Sequence, residues 1–326
     1  MINEQDALLS AVQANYYFGK LRVVQDRPLL VETERGRKKI RIWQNEALLK
    51  LHLKWRERLI NDAFFIDRMY VTRSGLPSIR IGRFSVTCHD APSEPTALEG
   101  NEALWASVVG QLVRHSRDVP AEVLPHATSV HVRSLYEQAK QIGVQDQDAW
   151  KIISACFSSA CARAKDADRL REPYQNRSSA FILPEDFSGR SCSALFDTLF
   201  LELGQSRPVD GCGLLARFFM AESMEHGKQS MNNLFQALKN QKFFDRETID
   251  LLQAEWLEPD EWMRLLEYGI NKEQIPQIQS DQFSVREFKQ IWDRKVKLIH
   301  LFNSVFTQSE DAGGGAAHGA DGQQSD

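Results

Sequence analysis

The chain has 326 residues, 42% of them hydrophobic, with a formal net charge of -4 and a pI near 6.1. That is enough apolar material for one large core or two lobes, which excludes a fibrous or wholly disordered chain. The charge balance excludes a global electrostatic pull towards nucleic acid or an anionic membrane.

The opening stretch, MINEQDALLSAVQ, carries acidic residues where a secretory signal needs bases, and no apolar run is long enough to span a bilayer. A cytoplasmic protein with no membrane partner is expected. The five cysteines, Cys88, Cys156, Cys161, Cys192 and Cys212, are odd in number and form no Cys-x-x-Cys pair, which suits reduced thiols better than a disulfide framework.

Residues 1–92 are punctuated like a small sheet. After YYFGKLRVV comes RPLLVETERGRKKIRIW, where Arg35-Gly36 signals a turn and Ile40 and Ile42 alternate with Lys39 and Arg41, the period of a half-buried strand. NEALLKLHLKWRERLI repeats Leu48, Leu51, Trp55 and Leu59 at helical spacing. DRMYVTRSGLPSIRIGRFSVTCHD then offers strands around Met69 and Val71, Ile79 and Ile81, and Phe84 and Val86, with turns at Ser74-Gly75 and Gly82-Arg83. Strands, one helix and more strands describe an antiparallel sheet with a helix on one face.

The Pro-, Ser- and Glu-rich DAPSEPTALEG leads into residues 93–306, where the pattern turns helical: EALWASVVGQLVRHS, DAWKIISACFSSACARAKDADRL, FQALKN, ETIDLLQAEWL and DEWMRLLEYG. Pro259 suits a first helical position, with Asp260 and Glu261 in a first turn where the helix dipole favours acids. A break near 180–203, AFILPEDFSGRSCSALFDTLFLE, reads as two short strands around a Pro- and Gly-rich turn. The end, 307–326, lacks branched and aromatic apolar residues and is expected to be disordered.

A mostly β first lobe, a short hinge and a helical second lobe with one β insertion resembles the layout of a protein-kinase-like chain. The segments GRKKIRIWQNEALLKLHLKWRERLI, FIDRMYVTRSGLPSIRIGRFSVTCHD, QLVRHS and, above all, the run from RPVDGCGLLARFFMAESMEHG through LLQAEWLEPDEWMRLLEYG resemble the aminoglycoside-phosphotransferase-like proteins of the bacterial spore coat. The resemblance implies an α+β, bilobal protein-kinase-like fold, with a small antiparallel sheet lobe plus one helix and a larger, mainly helical lobe.

Phosphoryl transfer in that fold needs a lysine on the third strand for the nucleotide phosphates, a loop aspartate, a loop asparagine and a second aspartate for Mg²⁺. KKIRIWQ puts Trp43 at or next to the lysine position. Lys39 or Arg41 could reach a phosphate of ATP, against the plainer reading of a solvated strand face. No Gly-x-Gly-x-x-Gly loop precedes the strand. The family's His-Gly-Asp signature is absent, and counting back from AFIL places Tyr174 or Gln175 at the base and Ser179 or Ala180 at the asparagine. SALFDTLF is similar to the family's metal segment, so Asp197 is the candidate Mg²⁺ ligand, with a turn or capping role as the alternative. Asp210 matches the aspartate that opens the next helix, a structural role in which its side chain caps GCGLLARFF.

The cluster Arg35, Arg37, Lys38, Lys39, Arg41, Lys50, Lys54, Arg56 and Arg58 reads as a solvated face before it reads as a nucleic-acid surface. The resemblance therefore implies a catalytically degenerate kinase-like protein that acts by binding in spore coat assembly, made in the mother-cell cytoplasm, with other coat proteins as partners. The alternative is an active ATP- and Mg²⁺-dependent small-molecule phosphotransferase with atypical residues.

Overall fold

The structure is a computed structural model, and it describes residues 4–60, 62, 64–92, 94–117, 128–144, 146–175, 181–195, 198–271 and 284–306. The tail at 307–326, expected to be disordered, lies outside the described residues.

The chain opens with a helix that the sequence reading had passed over, α1 (Glu4–Asn15), followed by β1 (Arg22–Gln25), β2 (Leu30–Thr33) and β3 (Gly36–Trp43). Helix α2 (Glu46–Leu59) comes next, then β4 (Phe65–Ile66), β5 (Met69–Tyr70), β6 (Ile79–Ile81) and β7 (Phe84–Asp90). The sheet runs β1-β2-β3-β7-β5 with β6 also on β7, antiparallel throughout, and β3 pairs with β7 from Lys38↔Asp90 to Trp43↔Ser85. Val12 and Tyr16 of α1 pack on Val31, Ile40, Val86 and Cys88 of one sheet face, which is why these residues alternate with the polar ones. On α2, Asn45 caps the Leu48 N–H, and the buried stripe is Leu49, His52, Trp55 and Leu59. Leu48 and Leu51, expected at the centre of that stripe, are half-buried at its edge.

The second part is helical. It comprises α3 (Glu102–His115), α4 (Ser129–Ile142) and α5 (Gln147–Arg171), then a β-rich segment with β8 (Ile182–Pro184), β9 (Cys192–Leu195), β10 (Thr198–Leu201) and β11 (Pro208–Asp210). It closes with α6 (Gly211–Glu225), α7 (Gly227–Asn240), α8 (Arg246–Leu257), α9 (Asp260–Asn271) and α10 (Val285–Phe306). Asp146 and Asp245 cap α5 and α8 through the backbone N–H groups of Ala149 and Thr248, so both starts are local in origin. The large core gathers Trp105, Phe219, Phe235, Trp256 and Phe302. A second cluster packs Tyr136, Ile153, Trp262 and Phe288 between α4, α5, α9 and α10.

The run that carries the resemblance includes Pro259 to Trp262 at the start of α9, and Trp262 packs in this second core. Trp262 is fully buried and donates its indole N–H to the Ile153 carbonyl at 3.0 Å. Beside it, buried Glu261 accepts from Arg163 at 2.9 Å and from Lys295 at 2.6 Å, tying α9 to α5 and α10.

The two parts are joined by more than the hinge. Strand β4 runs parallel to β10, pairing Phe65 with Phe200 and Ile66 with Leu201, and the Asp67 N–H donates to the Leu201 carbonyl at 2.7 Å. β4 thus belongs to a three-stranded sheet with β10 and β9 rather than to the N-terminal sheet.

Candidate functional site

The break expected as two strands contains a hairpin and a second, separate pair. β9 and β10 pair with each other, whereas β8 pairs with β11 from Pro184↔Pro208 to Ile182↔Asp210. Residues 185–191 therefore form a loop leaving β8, and 202–207 form a loop leaving β10; the second meets β3 at Lys39, Arg41 and Ile42, and this junction between the two parts is the cleft. This corrects the register of the sequence reading: AFIL is the strand ahead of the first loop, not the one ahead of the metal aspartate. Tyr174 and Gln175 are accordingly removed from the base position, and the Tyr174 hydroxyl donates to Asp250 at 3.0 Å. Ser179, Ala180 and Asp197 lie outside the described residues, and the strands flanking Asp197 pair Leu195 with Thr198.

In the order that the resemblance implies, Asp186 stands where the loop aspartate belongs, Pro184 and Glu185 replace the histidine and glycine, and Ser191 occupies the asparagine position. Glu202, followed by Leu203 and Gly204, leaves β10 where the metal carboxylate belongs. Sequence reasoning missed both acids. The usable signals were the spacing of five between Asp186 and Ser191 and the acid-apolar-glycine run at 202–204. The loops touch: the Glu202 N–H donates to the Ser191 carbonyl at 2.8 Å, and Ser206 Oγ donates to Asp186 Oδ1 at 2.5 Å. Gly204 has φ 67, and a Cβ there would lie 2.9 Å from Asp186 Oδ2, so a side chain at this position would push the loops apart.

Facing these loops, β3 presents Lys39, Arg41 and Trp43. The Arg41 guanidinium donates to Asp67 Oδ2 at 2.7 Å, to Glu202 Oε1 at 2.9 Å and to the Gly204 carbonyl at 3.1 Å. Lys39 Nζ pairs with the same Glu202 oxygen. The solvated-face reading of this strand is overturned at Arg41, which is only 3% exposed, because Asp67 and Glu202 supply the charge that makes burial tolerable. It is overturned at Lys38 as well, whose ammonium is buried on the other sheet face against Asp90 at 2.8 Å. Ile42, expected on the buried phase of the strand, is exposed, as are Gly36 and Arg37 at its start. The basic cluster is therefore not one surface.

Behind Arg41 runs a buried relay. Trp43 Nε1 donates to Thr87 Oγ1 at 2.9 Å, the Thr87 hydroxyl donates to His89 Nε2 at 2.7 Å, and His89 Nδ1 donates to the Asp67 carbonyl at 3.3 Å. These roles are those of a neutral imidazole protonated at Nδ1, the form that burial favours. Burial, reinforced by the Arg41 charge, pushes the His89 pKa down to about 3. For Asp67, burial opposes the charge, but Arg41 leads the interactions that outweigh it and hold the carboxyl below its ordinary range. His52 on α2 is likewise lowered by burial and donates through Nε2 to the Ser206 carbonyl at 2.8 Å, fixing the second loop against the N-terminal part.

Asp210 stands immediately before α6, as expected, but its side chain makes no capping hydrogen bond to that helix. Its backbone is held by pairing with Ile182, and the helix start is set by the Gly211 N–H donating to the Phe181 carbonyl at 2.8 Å. A cavity of about 600 Å³ adjoins the first loop, lined by Glu185, Ser188, Arg190, Arg217, Glu222 and His226. Burial raises the Glu222 pKa, and His226 Nε2 approaches that carboxylate at 3.3 Å.

The donor set does not fit a nucleotide with Mg²⁺ in this arrangement. Glu202 is already shared between two cations, so a divalent ion would have to sit against Lys39 and Arg41. Among the described residues no group of three or more His, Cys, Asp or Glu side chains is placed to hold a metal ion. No helix among them is long and apolar enough to cross a membrane.

No protein-family model matches the chain, and no curated protein matches its sequence. Solved structures do match. An aminoglycoside phosphotransferase from Alicyclobacillus acidocaldarius subsp. acidocaldarius aligns with a TM-score of 0.62 at 13% identity, over 91% of this chain and 94% of that one. The AMP-bound complex of a spectinomycin phosphotransferase aligns with a TM-score of 0.50 at 9% identity, over 92% and 98%. At such identities the likeness is one of fold: the chain has the α+β, protein-kinase-like fold of the aminoglycoside phosphotransferases.

Proposed function

We infer that this chain is a kinase-like protein that acts by binding rather than by transferring phosphate. The observation carrying this reading is the Glu202 carboxylate between Lys39 and Arg41. In a phosphotransferase of this fold the strand cation serves the nucleotide phosphates and the loop acid serves Mg²⁺. Here each neutralises the other, while the asparagine and glycine-loop positions carry no replacement of equivalent chemistry. The resemblance of the 207–269 region to spore-coat proteins supports a role in assembly of the bacterial spore coat, with other coat proteins as partners. A fluorescent fusion followed through sporulation tests that place: a ring around the forespore supports it, and diffuse signal throughout contradicts it.

A second reading, an ATP-dependent small-molecule phosphotransferase, is favoured by Asp186, exposed on the first loop and next to the cavity that holds Glu222. It requires Glu202 to leave Lys39 and Arg41. A thermal-shift titration with ATP and Mg²⁺ separates the two, since a ligand that binds the folded state alone raises its melting temperature.

A further inference from the structure

A cavity of about 610 Å³ lies between the end of α6, the start of α7 and the C-terminal half of α10. It shares no lining residue with the cleft or with the cavity beside the first loop. Its floor is apolar, formed by buried Met231 and Leu298 with Leu301 beside them. Its walls carry Lys228, Arg294, Lys297 and His300, and no acidic residue lines it among the described residues. Asp293, next in sequence to Arg294, is not part of the lining.

Two neighbouring basic groups of this helical part are answered by acids. Lys295, one residue from Arg294, is buried against Asp260 and Glu261, and Arg171 is paired with Glu255 and Glu258. Lys228, Arg294, Lys297 and His300 make no ion pair among the described residues. Arg294 is nevertheless fixed, donating through Nη1 to the Ser223 carbonyl at 2.7 Å, so its guanidinium is held at the wall rather than trailing in solvent. Gly227 and Lys228 are the first residues of α7, and His226 provides no side-chain cap, which adds the positive end of a 14-residue helix to the same wall. Positive charge gathered over an apolar floor without counter-charge is relieved by an anion, and the volume is that of small-ligand sites.

We propose that this cavity binds a small amphiphilic anion, a single phosphate or carboxylate headgroup on a short apolar body, with the headgroup against Lys228, Arg294 and Lys297 and the body on Met231 and Leu298. The site is independent of the cleft and of its reading as a binding or catalytic centre.

The test uses the full chain and isothermal titration with octyl phosphate below its micelle-forming concentration, alongside octanol, inorganic phosphate and anionic phospholipid vesicles. The expected result is saturable binding of one octyl phosphate per chain, weakened roughly tenfold or more, about 1.4 kcal/mol, in Lys228→Gln/Lys297→Gln. The melting temperature of the free protein should be retained in that variant, because both residues are exposed and unpaired among the described residues. Lys50→Gln/Lys54→Gln, which removes equal charge from α2, should bind as the parent does. Absence of saturable binding, equal binding of inorganic phosphate, binding to vesicles without binding to monomeric octyl phosphate, or indifference to the Lys228/Lys297 change would each overturn the proposal. None of these outcomes depends on whether ATP binds in the cleft.

Discussion

The Arg41 guanidinium and the Asp67 carboxylate meet at 2.7 Å with side chains 3% and 5% exposed, joining the third strand to the residue that follows β4. Removing one member of a buried pair leaves the other charge without compensation, so Asp67→Ala should lower unfolding stability by about 3 kcal/mol in urea denaturation. Arg41→Met/Asp67→Leu, which removes both charges, should recover much of that loss. A single-mutant loss below about 1 kcal/mol, the range of exposed pairs, would contradict the burial assigned to Arg41.

The neutral His89 makes stability depend on pH. Its folded pKa, about 3, lies below the ordinary value of 6.5, so between those values the unfolded chain binds the proton that the folded chain refuses. The contribution is complete above pH 6.5 and is lost as pH falls towards 3. Asp67, with its lowered pKa, acts in the same direction at the acid end. Between pH 6.5 and 5 the loss from His89 should be on the order of 2 kcal/mol. Denaturant midpoints measured across that range should fall, and the slope should flatten in His89→Gln, which keeps hydrogen-bonding capacity without the titration. An unchanged slope in the variant would mean that another group carries the effect.

Gly110, in the middle of α3, would place a Cβ 1.8 Å from the Phe243 ring. Gly→Ala in an exposed helix gains about 1 kcal/mol. Here the sign should reverse, with Gly110→Ala costing about 1–3 kcal/mol through overpacking. Gly110→Ala/Phe243→Leu should restore part of it. A stabilised single variant, seen as a raised melting temperature, would show that the ring is free to move away.

A single period made part of the fold legible in the residues, although α1, α4 and α10 were not read from theirs. α3, α5 and α8 follow from their apolar spacing, and β5, β6 and β7 from short apolar alternation bounded by Ser74-Gly75 and Gly82-Arg83. The register inside 181–210 was not legible, because strands of three or four residues, buried on both faces, carry no period, and the partner of Ile182 is Asp210 across an intervening hairpin. With the observed register, the loop-acid positions that the resemblance implies fall at Asp186 and Glu202 rather than at Tyr174 or Gln175 and Asp197, and Asp197 itself lies outside the described residues. Arg41 was illegible for a related reason: strand alternation assigns it a face, but whether that face meets water is decided by Glu202, 161 residues away.

Competition between Glu202 and phosphate for the β3 cations is the centre of the account, and Glu202→Gln tests it. Calorimetric titration of ATP, with and without Mg²⁺, should give weak or undetectable binding to the parent chain and tighter binding to the variant, because Lys39 is then released to a phosphate while Arg41 keeps its pair with Asp67. Tight Mg²⁺-dependent ATP binding by the parent that is lost in Glu202→Gln would instead make Glu202 a metal ligand and contradict the reading.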